Sequence, residues 1–463
     1  MPVENREIPG RILYVGASLP ARSETFVYRE VFALCALGLD VRTASVHPPQ
    51  RGLGEARLDQ LADDAIGIYG PGMRRLLTDA ALESMTHPIR KIRTALTALC
   101  DAIAAPDVAG LNRPKIIWQM LGGLALARRV RRLGIQHIHS HMAHVPTTIA
   151  MYAAVQLGVP FSFTGHAADI FRSRTLLKAK LQRAAFAACI SHWHRQFYRS
   201  IVVRPDDRYP IVRCGVDISE FSPQLHMTRE RPGGDASSPA AGPRATRVLA
   251  VGRLVPKKGF DLLLHALAML RDGGETCRAT IVGEGPELQD LQRLRTELQL
   301  DHEVALVGAK SNQQVRDMFR EADLFVLPCR IDQAGDRDGI PVVLMEAMAS
   351  GVCCVSGDLP AIRELIDDGV SGRLVTPGEV EPLVAAMREL ISSADLREVL
   401  AREGRRRVEE EFSLALNAER MAESLRNATA RWGAAQQNVL PAGLRQQEHG
   451  AAASRPSIAA AKR

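Results

Sequence analysis

Two carboxylates, Asp338 and Glu346, bracket a run that is otherwise apolar, Gly339-Ile340-Pro341-Val-Val-Leu-Met345. Gly339 lets the backbone approach a ligand closely. Pro341 suits the first helical position, where a missing N–H costs nothing. Residues 342–349 then read as a helix that is apolar on every side, and so buried. Gly351 is its natural stop. The free N–H groups at the start of such a helix form an anion site. Glu346 is the one charge on it, and a lone buried carboxylate needs a partner. A diphosphate at the helix start and hydroxyls on the carboxylates would meet both needs. A sugar nucleotide carries both.

A second constellation is Val251-Gly252-Arg253-Leu-Val-Pro-Lys257-Lys258-Gly259. Two lysines at a helix N-terminus oppose its dipole. A bound diphosphate reverses that sign, with Arg253 and Lys258 on the phosphate oxygens. The plainer reading is a solvated basic turn. The charges stand at the carboxyl end of a strand, where open α/β sheets bind ligands, which favours phosphate. A third group is His137, His139, His141 and His144. Alternation puts the first three on one side of a strand. No Cys or carboxylate follows at ligand spacing, so no metal is expected. The expectation is a cleft-lining segment on the acceptor side.

The elements that must position these groups follow from periodicity. Residues 11–16 form a buried strand, 24–37 a helix with Phe26, Glu30, Leu34 and Leu37 at helical spacing, and 41–46 a second strand. This βαβ opening predicts a parallel sheet. Residues 228–246 are rich in Pro, Gly, Ala and Ser and read as a linker. Strand–helix alternation then restarts at residue 248 and predicts a second doubly wound domain. The expected organisation is a first domain over 1–227, the linker, and a second domain over 247–412. A helix over 413–432 and a disordered tail over 433–463 complete it.

Composition bounds the class. The chain has 463 residues, 46% hydrophobic and 24% charged, enough for two globular domains. No apolar run approaches a membrane span. The first residues lack the charged-then-apolar order of a signal peptide, so a cytoplasmic protein is expected. The eight cysteines are scattered without metal spacing and read as free thiols. Net charge +7 fits phosphorylated ligands or anionic lipid. With aromatic content of 5%, nucleic acid is disfavoured. Residues 50–133 are mostly helical and basic, with Ile92, Leu96, Leu99, Ile116, Trp118 and Leu121 among the charges. Two readings stay open there: an ordinary packing face, or docking on the inner face of the plasma membrane.

The chain resembles the retaining glycosyltransferases of family 4, which have the GT-B fold of two Rossmann-like domains facing a cleft. Their paired carboxylates match Asp338–Glu346, with Asp in place of the first Glu. Gly252-Arg253-Leu254 through Lys258-Gly259 looks like the family's phosphate clamp. Val282-Gly283-Glu284-Gly-Pro286 and residues 364–375 look like family segments too. So do Ser23-Glu-Thr-Phe26, Phe163-Thr-Gly-His166-Ala-Ala-Asp169 and Cys214-Gly-Val-Asp217, in the manner of the colanic-acid and exopolysaccharide branch.

The resemblance implies that Arg253 and Lys258 neutralise the departing diphosphate. Glu346 would bond the ribose and Asp338 the transferred sugar. The backbone of Gly339, Ile340 and Pro341 would face sugar and phosphate, with Gly252, Gly283 and Glu284 also on the donor side. His166 would lie beside the reacting carbon, Asp169 would orient its loop, and His139 and His141 would face the acceptor. Asp336-Arg337-Asp338 spells a metal motif of an unrelated glycosyltransferase fold and is taken as coincidence. The implied reaction uses no metal or other cofactor. It moves a sugar from a nucleotide-diphosphate donor to a saccharide or lipid-linked saccharide acceptor. The rivals are a nucleotide-sugar epimerase of the same fold and a non-catalytic phosphate-binding module.

Overall fold

The computed structural model describes residues 10–22, 24–105, 107–108, 110–166, 174–221 and 245–439. Asp169, most of the expected linker, and the tail beyond residue 439 lie outside them.

The first domain runs β1 (Ile12–Gly16), α1 (Thr25–Ala36), β2 (Val41–Ser45), α2 (Ala56–Asp64), β3 (Ile66–Gly67), α3 (Met73–Thr86), α4 (Pro88–Ala104) and α5 (Arg113–Val130). It continues with β4 (His137–His141), α6 (Val145–Leu157), β5 (Phe161–Thr164), α7 (Leu177–Arg183), β6 (Ala187–Ala188) and α8 (His192–Ile201). The second runs β7 (Thr246–Val251), α9 (Phe260–Asp272), β8 (Cys277–Val282), α10 (Leu288–Glu297), β9 (Val304–Leu306), α11 (Asn312–Glu321) and β10 (Leu324–Leu327). Then come α12 (Val342–Ala349), β11 (Cys353–Gly357), β12 (Arg373–Val375), α13 (Val380–Ser392), α14 (Ala394–Glu411) and α15 (Leu414–Val439).

Each domain builds one parallel six-stranded sheet, ordered β3-β2-β1-β4-β5-β6 and β12-β11-β10-β7-β8-β9. β1, β4, β5, β10 and β11 are buried along their whole length, as strands with helices on both faces must be. In both sheets the order reverses beside the opening strand, between β1 and β4 and between β7 and β10. The crevice at that reversal is where such sheets take ligands. The Arg253–Lys258 loop follows β7, and the segment carrying Asp338 follows β10, so both flank it.

Local signals place most elements within a residue or two. Pro341 sits one position earlier than expected: it is the extended N-cap, and α12 begins at Val342. The helix expected over 361–366 is a single tight turn, Ile362–Glu364. The charged helix α14 was not read from the sequence; only Leu400, Ala401, Gly404 and Val408 are buried along it. α15 runs past Trp432 to Val439. It returns to the first domain, burying Met421, Ala422, Leu425 and Ala428 against Ile12, Val31, Leu34 and Leu39. Burying one Leu or Met side chain in this way contributes about 2 kcal/mol.

The basic region resolves into two kinds of surface. Ile116 is buried, and Trp118 stacks on Tyr69, so these belong to the core. Ile92, Leu96 and Leu99 do not: they stand out on α4 with Ile89 (83% exposed) and Ile103 (61% exposed). Arg74, Arg75, Arg90, Lys91 and Arg93 are exposed around them. The carboxylates of α3 and α4 all turn inward. Asp79 pairs with Arg129 at 2.7 Å, Glu83 with Arg131, and Asp101 with Arg183 at 2.6 Å. The outer face is left apolar and cationic. No helix among the described residues is long and apolar enough to cross a membrane.

Candidate active site

The second domain supplies a tight loop after β7. The residue that ends it, Gly259, has φ +69°, and a Cβ there would meet the Pro328 carbonyl oxygen at 2.2 Å. Only glycine lets this loop close against the end of β10. Lys257 and Lys258 are thereby carried to Asp338. Lys258 Nζ lies 2.7 Å from Asp338 Oδ2, and Lys257 Nζ lies 3.3 Å from Asp338 Oδ1. Lys257 also reaches Asp336 at 3.3 Å. Burial alone would discharge these groups. The Asp338 carboxylate overrides it and raises the Lys258 pKa above its ordinary value. Burial pushes Asp338 upward, and the two ammonium groups more than reverse that, so its pKa falls below the usual value. The site is a charged cluster at neutral pH.

The residues expected to serve opposite ends of a donor, Lys258 and Asp338, therefore bond each other. Lys257 had no assigned role in the sequence reading and turns out to bridge both aspartates. Asp336 and Asp338 share the Lys257 ammonium group. Arg253 is exposed, and its guanidinium makes no ion pair among the described residues. Gly252 and Gly283 meet at the ends of β7 and β8, where a Cβ on Gly283 would strike the Gly252 oxygen at 1.8 Å. Glu284 is exposed and contributes its backbone oxygen to Leu254 N at 2.9 Å. Gly339 and Ile340 are half-buried before α12, whose N-terminus has no side-chain cap. Its first N–H groups are the anion-binding feature the sequence suggested.

Glu346 does have a partner, from the other domain. Arg29 Nη1 on α1 lies 2.9 Å from Glu346 Oε1, and both side chains are largely buried. Arg29 also faces Glu220 at 3.8 Å, which Arg316 holds at 2.9 Å. A further tie across the domains is Glu364. Its carboxylate accepts from the backbone N–H of His192 and of Trp193, both at 2.9 Å, capping α8, and from Arg213 at 2.8 Å.

On the first-domain side, His166 follows β5 and is buried, with the Phe26 ring 4.5 Å from its own. Burial, and then neighbouring histidines, hold its pKa well below the ordinary value, so the ring is neutral at neutral pH. His139 requires a correction. It is fully buried, with Nδ1 2.8 Å from Ser162 Oγ and Nε2 3.1 Å from Thr164 Oγ1. Its imidazole is spent inside the sheet and lines no cleft. His141 is also buried, between Glu30 at 3.1 Å and His166 at 3.2 Å. With Phe26, Glu30 and Arg213 it lines a pocket. Arg29, Glu30 and Lys257 are what sequence reasoning missed. Arg29 and Glu30 sat in an ordinary helical pattern, and only their burial marks them. The one available signal was a charged pair inside an otherwise apolar helix.

Comparison with known proteins agrees with this fold. Residues 238–407 match the family described as glycosyl transferases group 1. AmsK of Erwinia amylovora, an amylovoran biosynthesis glycosyltransferase, is 26% identical over 445 residues, 90% of this chain and 99% of its own. WcaL of Salmonella typhimurium, by name a colanic acid biosynthesis glycosyltransferase, is 27% identical over 415 residues, 85% of this chain and 94% of its own. Among solved structures, Anabaena HepE in complex with UDP and glucose superposes with a TM-score of 0.62 at 16% identity. That match covers 90% of this chain and 99% of HepE.

Proposed function

We propose, for a chain that is a GT-B glycosyltransferase with a group 1 domain over residues 238–407, a retaining, metal-independent transfer in exopolysaccharide assembly. The donor is a nucleotide-diphosphate sugar and the acceptor a lipid-linked saccharide. The observation that carries this reading is the cluster of Lys257, Lys258 and Asp338 beside the uncapped start of α12. The relatives named for amylovoran and colanic acid biosynthesis support the polysaccharide context.

An arriving diphosphate competes with Asp338 for Lys258. Lys257 stays on Asp338, which frees one carboxylate oxygen for a sugar hydroxyl. Lys258, Arg253 and the N–H groups of α12 then stabilise the charge that develops on the leaving phosphate. The bond from the anomeric carbon to the phosphate oxygen breaks as the bond to the acceptor oxygen forms on the same face. The acceptor's proton goes to the departing phosphate. Glu346 has one oxygen on Arg29, and its Oε2 has no hydrogen-bond partner among the described residues, which suits a ribose hydroxyl. The apolar, cationic face of α3 and α4 supports docking on an anionic membrane, where a lipid-linked acceptor would lie.

The test is incubation of the purified protein with UDP-, GDP- and ADP-sugars, each with and without a saccharide acceptor. Acceptor-dependent release of nucleoside diphosphate, with the anomeric configuration kept, is expected. Conversion of the donor sugar without an acceptor would instead make the protein an epimerase.

A further inference from the structure

The segment between β10 and α12 inverts the usual order of inside and outside. Ile331 is 47% exposed, residues 333–335 are exposed, and Asp336 is only 7% exposed. Turning a carboxylate inward costs free energy unless it is paired. The turn that does so is held locally. Asp332 Oδ1 accepts the backbone N–H of Ala334 and of Asp336, both at 2.9 Å. Asp332 N donates to the Asp336 carbonyl oxygen at 2.9 Å, and Gly335 takes φ +76° between them. Arg330 ties the segment to the loop after β7. Its backbone N–H donates to the Lys257 oxygen and its Nε to the Pro256 oxygen, each at 2.9 Å.

Asp336 meets Lys257 with both carboxylate oxygens. Lys257 Nζ lies 3.3 Å from Asp336 Oδ1, 3.3 Å from Asp336 Oδ2 and 3.3 Å from Asp338 Oδ1. Lys258 lies on the other oxygen of Asp338, at 2.7 Å. Among the described residues, two carboxylates therefore hold Lys257 and one holds Lys258. An ammonium group on a flexible stem follows the strongest anion in reach. An arriving diphosphate draws on both lysines. If both went, Asp338 would lose its cations and face a phosphate of its own sign.

We propose that Asp336 is a positioning residue for the transferred sugar: it tethers Lys257 to Asp338 and withholds that ammonium group from the donor diphosphate. The proposal rests on the reading that a nucleotide sugar takes Lys258. The neighbouring lysines then divide the work. Lys258 goes to the phosphate, while Lys257 stays and keeps Asp338 aimed at a sugar hydroxyl. Withholding a cation also favours donor over product. A second lysine on the phosphates would bind both, and the released nucleoside diphosphate more, because its terminal phosphate carries an extra charge. Such binding does not help the chemical step. The Asp338 contact exists only when the sugar is present.

The test titrates the full chain with UDP, GDP and ADP by calorimetry, in EDTA, beside steady-state rates with the matching nucleotide sugar. Asp336→Asn keeps the shape and loses the charge that tethers Lys257. It should bind the nucleoside diphosphate about 10-fold tighter than wild type while kcat falls about 10-fold, the scale of one charge-assisted contact. Donor KM should not rise. Asp336→Glu should return both quantities toward wild type. Asp336→Asn combined with Lys257→Met has no lysine to release, so its nucleoside diphosphate affinity should match wild type. Unchanged or weaker binding in Asp336→Asn overturns the tether, as does a double variant that still binds more tightly. Lys257→Met alone is the independent check. It should lower kcat and leave nucleoside diphosphate affinity unchanged, and a loss of affinity would place Lys257 on the phosphates and overturn the proposal. If wild-type protein binds none of the three nucleotides, the donor reading fails and the tether with it. If Lys258→Ala weakens binding but Asp336→Asn does not tighten it, only the tether fails.

Discussion

Arg29 in the first domain and Glu346 in the second meet across the cleft, Nη1 to Oε1, at 2.9 Å. The pair orients the carboxylate expected to hold the donor ribose. Removing one member of a buried pair leaves the other charge without compensation. Arg29→Met should raise donor KM about 10-fold and cost on the order of 3 kcal/mol of stability. Arg29→Lys, a point charge without the planar fork, should recover only part. Donor titrations and urea melts of the two variants check this. An unchanged KM in Arg29→Met would separate the pair from donor binding.

Arg253 and Lys258 should differ in what they do to the fold. Arg253 is exposed and makes no ion pair among the described residues. Arg253→Ala should therefore leave the melting temperature alone and cut kcat/KM on the order of 100-fold, the scale of one lost transition-state contact. Lys258→Ala should cost a similar factor and some stability as well, limited because Lys257 still holds Asp338 at 3.3 Å. Steady-state rates beside thermal melts read both effects.

Activity should survive chelation. Lys257 supplies the positive charge between Asp336 and Asp338. A divalent cation there would have to expel an ammonium group. Turnover in EDTA is expected within about 2-fold of the untreated enzyme. Loss on chelation with rescue by added Mg²⁺ or Mn²⁺ would reverse the assignment.

Stability should fall in mild acid. Burial lowers His137 and His194 from the ordinary 6.5 to about 3. The folded protein keeps both neutral while the unfolded chain protonates them. Their contribution is complete above pH 6.5 and is lost as pH falls from there toward 3. Each histidine adds a slope of about 1.4 kcal/mol per pH unit in that window. His137→Gln should flatten the acid limb by about one proton in urea melts taken between neutral pH and pH 5.

The α4 surface should bind anionic vesicles. Ile92 and Leu96 are 56% and 57% exposed, so Ile92→Glu with Leu96→Glu should not change the melting temperature. Wild-type protein should sediment with phosphatidylglycerol vesicles, much less with phosphatidylcholine, and less at high salt. The double variant should stay in the supernatant while turning over a soluble acceptor normally. Equal sedimentation of both proteins would remove the membrane from the proposal.

The amino-acid sequence by itself determined what depends on near neighbours. Alternating strands and helices implied two parallel sheets. The loop Arg253–Lys258, the carboxylates Asp338 and Glu346, and the stop at Gly351 were legible because turns, caps and helix ends act over a few residues. Tertiary structure alone decided which of these charges meet. Arg29 and Glu346 are 317 residues apart, and Glu30 and His141 are 111 apart. No periodicity links such positions, since their contact depends on how two sheets and a returning helix pack. Burial completed the sorting. His139 and His141 alternate identically along β4. Hydroxyls from the next strand hold one imidazole, and the other lies between Glu30 of α1 and His166.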